Sequence, residues 1–226
     1  MKKLFVISLG GSLIVPEEID VKFLKNFKKL IESQTKKGSR FILITGGGKV
    51  CRKYQNALHS LARPSDSDLD WMGIYTTLTN AQFVRLVFKS LAHPQIVENP
   101  NKKLKFSKKI LLAGGWLPGH STDKDAVLLA KTYGAKTVIN LSNIDFLYNK
   151  DPRKFKDAKK ITKISWNGLL NITGRKWIPG KNVPFDPIAA QVAKNNKLEV
   201  VIANGKNLEN LENILKGKKF IGTSIK

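Results

Sequence analysis

Cysteine is nearly missing from this chain of 226 residues: Cys51 stands alone. A single thiol excludes an internal disulfide framework and fits a reducing compartment, so a cytoplasmic setting is expected. The three histidines are scattered, and His59 and His93 have no second ligand at metal spacing, so no protein-built metal centre is expected. No apolar run approaches the ~20 residues that span a bilayer, and no membrane association is expected. The start, MKKLFVISLGGSLIVPEE, has a basic head and an apolar stretch, but Gly10 and Gly11 interrupt it and it lacks a small-x-small cleavage pattern; it reads as a first strand. The common phosphate motifs are missing as well. No G-x-x-x-x-G-K-[ST] occurs, since GRKWIPGKN (174–182) has the wrong spacing and puts Asn182 where a hydroxyl is needed, and no G-x-G-x-x-G follows a strand. P-loop NTPases and ordinary dinucleotide dehydrogenases are thereby disfavoured.

Negative charge is also scarce: 17 acidic residues stand against 40 Lys and Arg, a formal net charge of +23. Two basic segments stand out, NKKLKFSKK (101–109) and KDPRKFKDAKKITK (150–163). Such a surface favours anionic partners, and it leaves nucleic acid open beside small nucleotides. One phenylalanine in each segment, Phe106 and Phe155, is too little for a base-stacking platform.

What the chain has is alternation. KLFVISL (3–9), RFILIT (40–45), KKILLA (108–113), KTVINL (136–141) and KLEVVIA (197–203) are near-continuous apolar runs, the pattern of strands covered on both faces. Between them lie helical periods: one capped by Asp20 and ending near Gly38, one from about Val50, and others at 65–91, 124–134, 187–196 and 207–216. Strand–helix alternation predicts a three-layer α/β/α sandwich with a mainly parallel sheet, formed by residues 1–226 as one unit. In the 65–91 helix, Leu69, Met72, Ile74, Leu78 and Phe83 exceed what one covered face requires and predict a subunit contact there.

Ligands of such sheets bind beyond the carboxyl ends of the strands. Three glycine clusters fall in that position: LGGS (9–12), TGGGK (45–49) and AGGWLPG (113–119). Glycine lets backbone N–H groups approach an anion closely, and a following helix N-terminus adds its dipole. Three such loops on one sheet edge predict a site for several phosphates.

GGS at 10–12, GGGKVCRKY at 46–54, DWMGIYTTLTNA at 70–81, GGWLPGHSTD at 114–123, NIDFLYNKDPRK at 143–154 and FDPIAAQVAKN at 185–195 follow one another in the order and spacing of the amino-acid kinase superfamily. The chain resembles most closely its uridylate (UMP) kinases of the short archaeal type. The resemblance runs nearly end to end, to GTSI at 222–225. It implies Mg²⁺-dependent transfer of the ATP γ-phosphoryl group to UMP, in a homohexamer built from dimers. On the ATP side it implies Gly11, Ser12, Gly48, Arg52, Ser142, Asn143, Tyr148 and Asp151. On the UMP side it implies Gly47, Asp70 and the loop Trp116, Leu117, Pro118, Gly119, His120, Ser121 and Thr122. Arg52 and Asp123 take the catalytic roles, Arg52 on the phosphates and Asp123 ordering the cations. The attacking phosphate oxygen is already ionised, so no general base is assigned.

Some positions depart from the family pattern. Ser8 stands where bacterial relatives carry a lysine, as in the short archaeal type. Charge neutralisation then falls to Mg²⁺, Arg52, Lys49 and Lys124. Trp116 replaces a threonine, Phe146 replaces a glycine at a turn expected to need positive φ, and Lys124 and Asp125 replace small or apolar residues. Taken singly, His120 reads equally as a turn or cap residue, Arg52 as a surface ion-pair partner, and Asp186 as a bare N-cap before Pro187. Two other functions stay open: a superfamily relative acting on another small phosphate or a carboxylate, and a non-catalytic binding protein for nucleotides or nucleic acid. Lys49 after the triple glycine speaks against isopentenyl phosphate kinases, which carry a histidine nearby.

Overall fold

The computed structural model describes residues 3–152, 154–176 and 183–226; residues 177–182 of the GRKWIPGKN stretch fall outside them. In chain order the elements are β1 (Leu4–Leu9), α1 (Gly11–Ile14), α2 (Val21–Lys36), β2 (Arg40–Thr45), α3 (Gly48–Leu61), α4 (Asp66–Phe88), β3 (Ala92–Val97), β4 (Ile110–Ala113), α5 (Thr122–Tyr133), β5 (Thr137–Ser142), β6 (Leu147–Tyr148), β7 (Lys160–Ile161), β8 (Lys163–Ile164), α6 (Trp166–Thr173), α7 (Pro187–Asn195), β9 (Glu199–Asn204), α8 (Leu208–Lys216) and β10 (Thr223–Ile225). Eight strands form one sheet in the order β3-β4-β2-β1-β5-β9-β10-β8, and only the β9–β10 pairing is antiparallel. The α/β/α expectation holds.

The alternation within each strand explains the unbroken apolar runs. Val6, Ile42, Ile44, Leu111, Val138 and Val200 face a core shared with α5, α6 and α7. Their neighbours Phe5, Ile7, Phe41, Leu43, Leu112, Ile139 and Val201 face a second core shared with α2, α4 and α8. With both faces dry, no position in these strands tolerates a polar residue except near the ends, where Ser8, Thr45 and Asn140 lie.

The five expected strands and six expected helices all form, with ends shifted by a few residues. Asp20 accepts from the Phe23 amide at 2.8 Å and caps α2. Helix α4 stops at Phe88 rather than 91, because Lys89 takes φ +44° and a short 3₁₀ turn leads into β3. Strand β3 was not expected; it is an edge strand, where Pro94 is tolerated because its missing N–H faces no neighbour. Phe146 does not adopt the positive φ expected at its turn; the only non-glycine residues that do among those described are Lys89 and Lys197. The expected contact residues of α4 are partly core instead: Ile74 is buried, Phe83 packs on the α2–α4–α8 core, and Leu78 lies against Gly114. The apolar surface left outside is different, namely Trp71, Tyr75 and Leu86 on α4 and Tyr54 and Leu61 on α3.

Candidate active site

The loops that leave β1, β2, β4 and β5 emerge at one edge of the sheet, and the first two touch backbone to backbone. A Cβ on Gly11 would lie 2.3 Å from the Gly48 amide nitrogen and 2.5 Å from the Gly46 carbonyl. Gly48 sits at φ +67° and is equally closed in by Gly11. No side chain fits at either position, so the two turns present bare amides side by side. Gly10 N–H donates to the Leu141 carbonyl (3.1 Å) and Gly46 N–H to that of Leu9 (3.0 Å), fixing both turns to the strand ends. The Asn80 amide of α4 adds a bond to the Gly46 carbonyl at 2.8 Å.

Beside this crossing lies a cavity of about 260 Å³ that includes Gly47, Gly48, Arg52, Asp70, His120 and Thr122 in its lining. Arg52, one turn into α3, is exposed at its wall. Gly11 and Ser12 open α1 on the other side of the crossing. Ser142 ends β5, Asn143 follows it, Tyr148 lies on β6 and Asp151 just beyond, and none of the four lines the cavity. The Lys49 ammonium is paired with Glu17 in the turn before α2, and of the expected side-chain cations Arg52 lines the cavity while Lys49 and Lys124 do not.

The loop 114–122 is held from two sides. Asp70 accepts from the Gly119 amide at 2.7 Å. From below, fully buried Asp125 accepts from the Trp116 amide at 3.1 Å and pairs with His120 Nδ1 at 3.0 Å. The Trp116 and His120 rings meet edge to face at 5.0 Å. Burial pushes the Asp125 carboxyl up, and the His120 hydrogen bond and charge oppose that shift. His120 is therefore more than a turn residue: it is the cavity-lining end of a carboxylate–imidazole pair. Leu117 and Pro118 lie at the outer bend of the same loop.

Two helix N-termini meet beneath the loop. Ser121 caps α5, accepting from the Lys124 amide at 3.2 Å while its hydroxyl donates to Asp186. Asp186 caps α7 through the Ile188 amide at 2.6 Å, and its own amide donates to Asp123 at 3.2 Å. Asn140 of β5 donates to the other Asp123 oxygen at 2.9 Å. Burial, with a lesser push from the Asp186 charge, raises the Asp123 carboxyl to about 7 against the two hydrogen bonds. The reading of Asp186 as a bare N-cap is thus incomplete, since it joins Ser121 to Asp123.

The sequence reading missed Thr77, Asn80, Asp125, Asn140 and Asp186. Thr77 Oγ1 accepts from the Gly115 amide at 2.7 Å and seats the third glycine loop on α4. A signal existed for three of them: Thr77 and Asn80 are polar groups in an apolar helix, and Asn140 interrupts a buried strand.

Parallel strands with glycine turns at one edge, a cavity beside two touching turns and carboxylates at helix N-termini thus come together in an α/β fold. The profile of the amino acid kinase family matches residues 3–204, and the chain belongs to that family. Over 228 residues it is 36% identical to the uridylate kinase of Thermoplasma volcanium, covering 100% of this chain and 98% of that one. It is 33% identical to the uridylate kinase of Methanobrevibacter smithii, covering 97% of each. Among solved structures, uridylate kinase from Archaeoglobus fulgidus superposes with a TM-score of 0.85 at 31% identity, covering 100% of both chains.

Two outcomes are expected from these carboxylates. Asp123 is raised above its unfolded value near 3.8, so its contribution to stability is full below that value and is lost as pH rises towards 7. Asp123→Asn should therefore raise the melting temperature at pH 8 relative to wild type and do so less, or not at all, at pH 5; thermal melts at the two pH values decide it. Asp125→Asn should raise KM for the acceptor by about tenfold, the scale of one charge-assisted hydrogen bond, with a much smaller change in kcat.

Proposed function

We propose that this protein is an ATP-dependent uridylate kinase, converting UMP and ATP to UDP and ADP as a step of pyrimidine nucleotide synthesis. One observation carries the reading. A cavity holding Arg52, Asp70, His120 and Thr122 lies directly beside the Gly11–Gly48 crossing, in a chain similar end to end to archaeal uridylate kinases. Residues 1–226 act as one amino-acid kinase domain. A cytoplasmic location follows from the lone thiol and the nucleotide substrates, and among the described residues no helix is long and apolar enough to cross a membrane.

In this reading the ATP phosphates lie over the amides of Gly11, Ser12 and Gly48, with the adenosine towards Ser142, Asn143, Tyr148 and Asp151. UMP occupies the cavity between Gly47, Asp70 and the 116–122 loop. Asp70 holds the Gly119 amide with one oxygen, which leaves the other for a sugar hydroxyl. Arg52 reaches the phosphates from the cavity wall, and its planar fork can engage two oxygens at once. Ser8 offers no charge, so Arg52 is the principal protein cation at the transferred group.

Phosphoryl transfer is carried by positioning and charge neutralisation. The residues fit a Mg²⁺ ion delivered with the nucleotide. Each Asp123 oxygen accepts one hydrogen bond, from Asn140 or from the Asp186 amide, and so keeps a lone pair. Such an ion would be held mainly by phosphate oxygens and one or two carboxylates. Bound Mg²⁺ would neutralise phosphate charge, and it would favour the ionised form of Asp123.

We place the subunit contact of a homohexamer on α3 and the outer half of α4. Helix α3 has no buried residue, and the Trp71 and Tyr75 rings lie together at 5.9 Å on exposed surface.

Three measurements test the reading. Turnover assays with ATP·Mg²⁺ should show UMP phosphorylated in preference to AMP or GMP; phosphorylation of a carboxylate or an isoprenoid phosphate without nucleotide turnover would sink it. Arg52→Ala should lower kcat/KM by roughly two to three orders of magnitude, the loss of one preorganised donor, with Arg52→Lys recovering only part. Light scattering at micromolar concentration should give a hexamer, and Tyr75→Glu should reduce it to smaller species.

A further inference from the structure

We propose that the sheet edge opposite the catalytic cleft is a binding face for the phosphodiester backbone of nucleic acid. Every strand from β4 to β10 carries a cation at that edge: Lys109 before β4, Arg40 at the start of β2, Lys3 before β1, Lys136 before β5, Lys197 two residues before β9, and Lys226 after β10. The backbone bonds place them side by side. Arg40 N–H donates to the Lys3 carbonyl, Phe41 N–H to that of Lys109, Glu199 N–H to that of Lys136, and Trp166 N–H to that of Lys226. Six adjacent strands at about 4.8 Å per step make a row ~24 Å long. Along a duplex, that length faces on the order of a dozen backbone charges.

At one end the row opens into a cavity of about 420 Å³ whose lining includes Lys136, Lys194, Lys197 and Lys226 against one carboxylate, Glu199. Glu199 is engaged by the Ser224 hydroxyl at 2.8 Å and the Lys226 ammonium at 3.2 Å, and Lys194 donates to Asn167 at 2.8 Å. Arg40 is tied to the Phe106 and Lys108 carbonyls, so it contributes charge more than donors. Lys3, Lys136, Lys194, Lys197 and Lys226 are exposed.

Helix dipoles explain only part of this. Lysine near a helix C-terminus is favoured on its own account, which covers Lys194 in the last turn of α7. It does not cover Lys3, Lys109 and Lys226, which lie at strand ends. Lys197 also follows the C-cap of α7, but it occupies φ +51°, where glycine or asparagine is the cheaper choice. The partner is an extended polyanion because the cations are spread along a line rather than converged on one point. Nucleic acid is favoured over an acidic membrane because none of the large exposed apolar side chains lines this cavity; Trp166 and Leu198 within it are buried.

The test uses the full chain, a fluorescein-labelled RNA single strand of roughly 20 nucleotides and the DNA of the same sequence. Anisotropy titrations run between ~50 and ~200 mM KCl, the range in which phosphate contacts dominate the salt dependence. The variant is Lys136→Gln, Lys197→Gly and Lys226→Gln together, in which glycine suits the left-handed position. The control removes equal charge from the exposed side of α2 with Lys22→Gln, Lys25→Gln and Lys29→Gln. Wild type should bind both strands, with log K falling against log salt. The row variant should weaken binding at least tenfold and reduce the slope by about 2, near 0.7 for each lost phosphate contact on a single strand. The control should change affinity less than about twofold, and UMP phosphorylation should be unaltered in both. Equal losses in row and control variants would mean undirected attraction to a basic protein and overturn the proposal. So would displacement by inorganic triphosphate as effective as by oligonucleotide at equal phosphate concentration. A row variant that loses binding to phosphatidylserine vesicles while keeping RNA affinity overturns it in favour of a membrane surface.

Discussion

The site depends on one contact without side chains, the meeting of Gly11 with Gly46, Gly47 and Gly48. Adjacent parallel strands β1 and β2 end side by side, and their turns converge so closely that a single methyl group would collide with main-chain atoms. Because the strands are fixed by two dry cores, the turns cannot retreat. The result is a patch of backbone amides whose spacing is set by sheet geometry and not by rotamers. Preorganisation of that kind needs no reorganisation when negative charge arrives. The neighbouring pieces are then located by reference to it: α3 starts at Gly48 and carries Arg52, and α4 is bonded to the Gly46 carbonyl through Asn80.

The second organising element is acidic, in a protein short of acids. Asp123, Asp125 and Asp186 lie in or beside the first turns of α5 and α7, where the helix dipole favours negative charge. They divide the labour. Asp186 ties the Ser121 hydroxyl to the first amides of α7, and Asp125 ties the Trp116 amide to His120, so both set shape. Asp123 ties β5 to the start of α7, accepting from Asn140 and from the Asp186 amide. The three carboxylates stand in a chain whose formal net charge is +23.

Much of the fold was legible because β1, β2, β4, β5 and β9 are covered on both faces, and only unbroken apolar runs satisfy that. Strands β3, β8 and β10 were hidden because they are short or lie at an edge, where pairing is decided by tertiary position. The glycine loops were legible for a related reason: close backbone approach admits one residue type. The clamp around 114–122 was not. Asp125 meets Trp116 and His120 only because the loop doubles back over α5, and Ser121 meets Asp186 across a long stretch of chain. Each of these residues has an ordinary local explanation as a cap or turn former, and that explanation conceals the tertiary one. Lys49, whose place after three glycines suggested a phosphate, is paired with Glu17 at the surface.

The strand order also governs how the chain reaches this structure. β1 is made early but lies in the middle of the sheet, flanked by β2 and by β5, and β5 lies more than half the chain further on. During synthesis β1 and β2 can pair soon after they emerge, yet one edge of β1 stays open until β5 is available, and β5 in turn waits for β9. Such pairings close large loops before they gain stability, so folding is slow relative to local helix formation. Until β5 docks, the nascent chain exposes an apolar parallel edge, which is the form most prone to pair with a neighbour. The central position of β1, which gives the glycine turn after it its rigidity, therefore makes the N-terminal half dependent on the C-terminal half for its solubility while it folds.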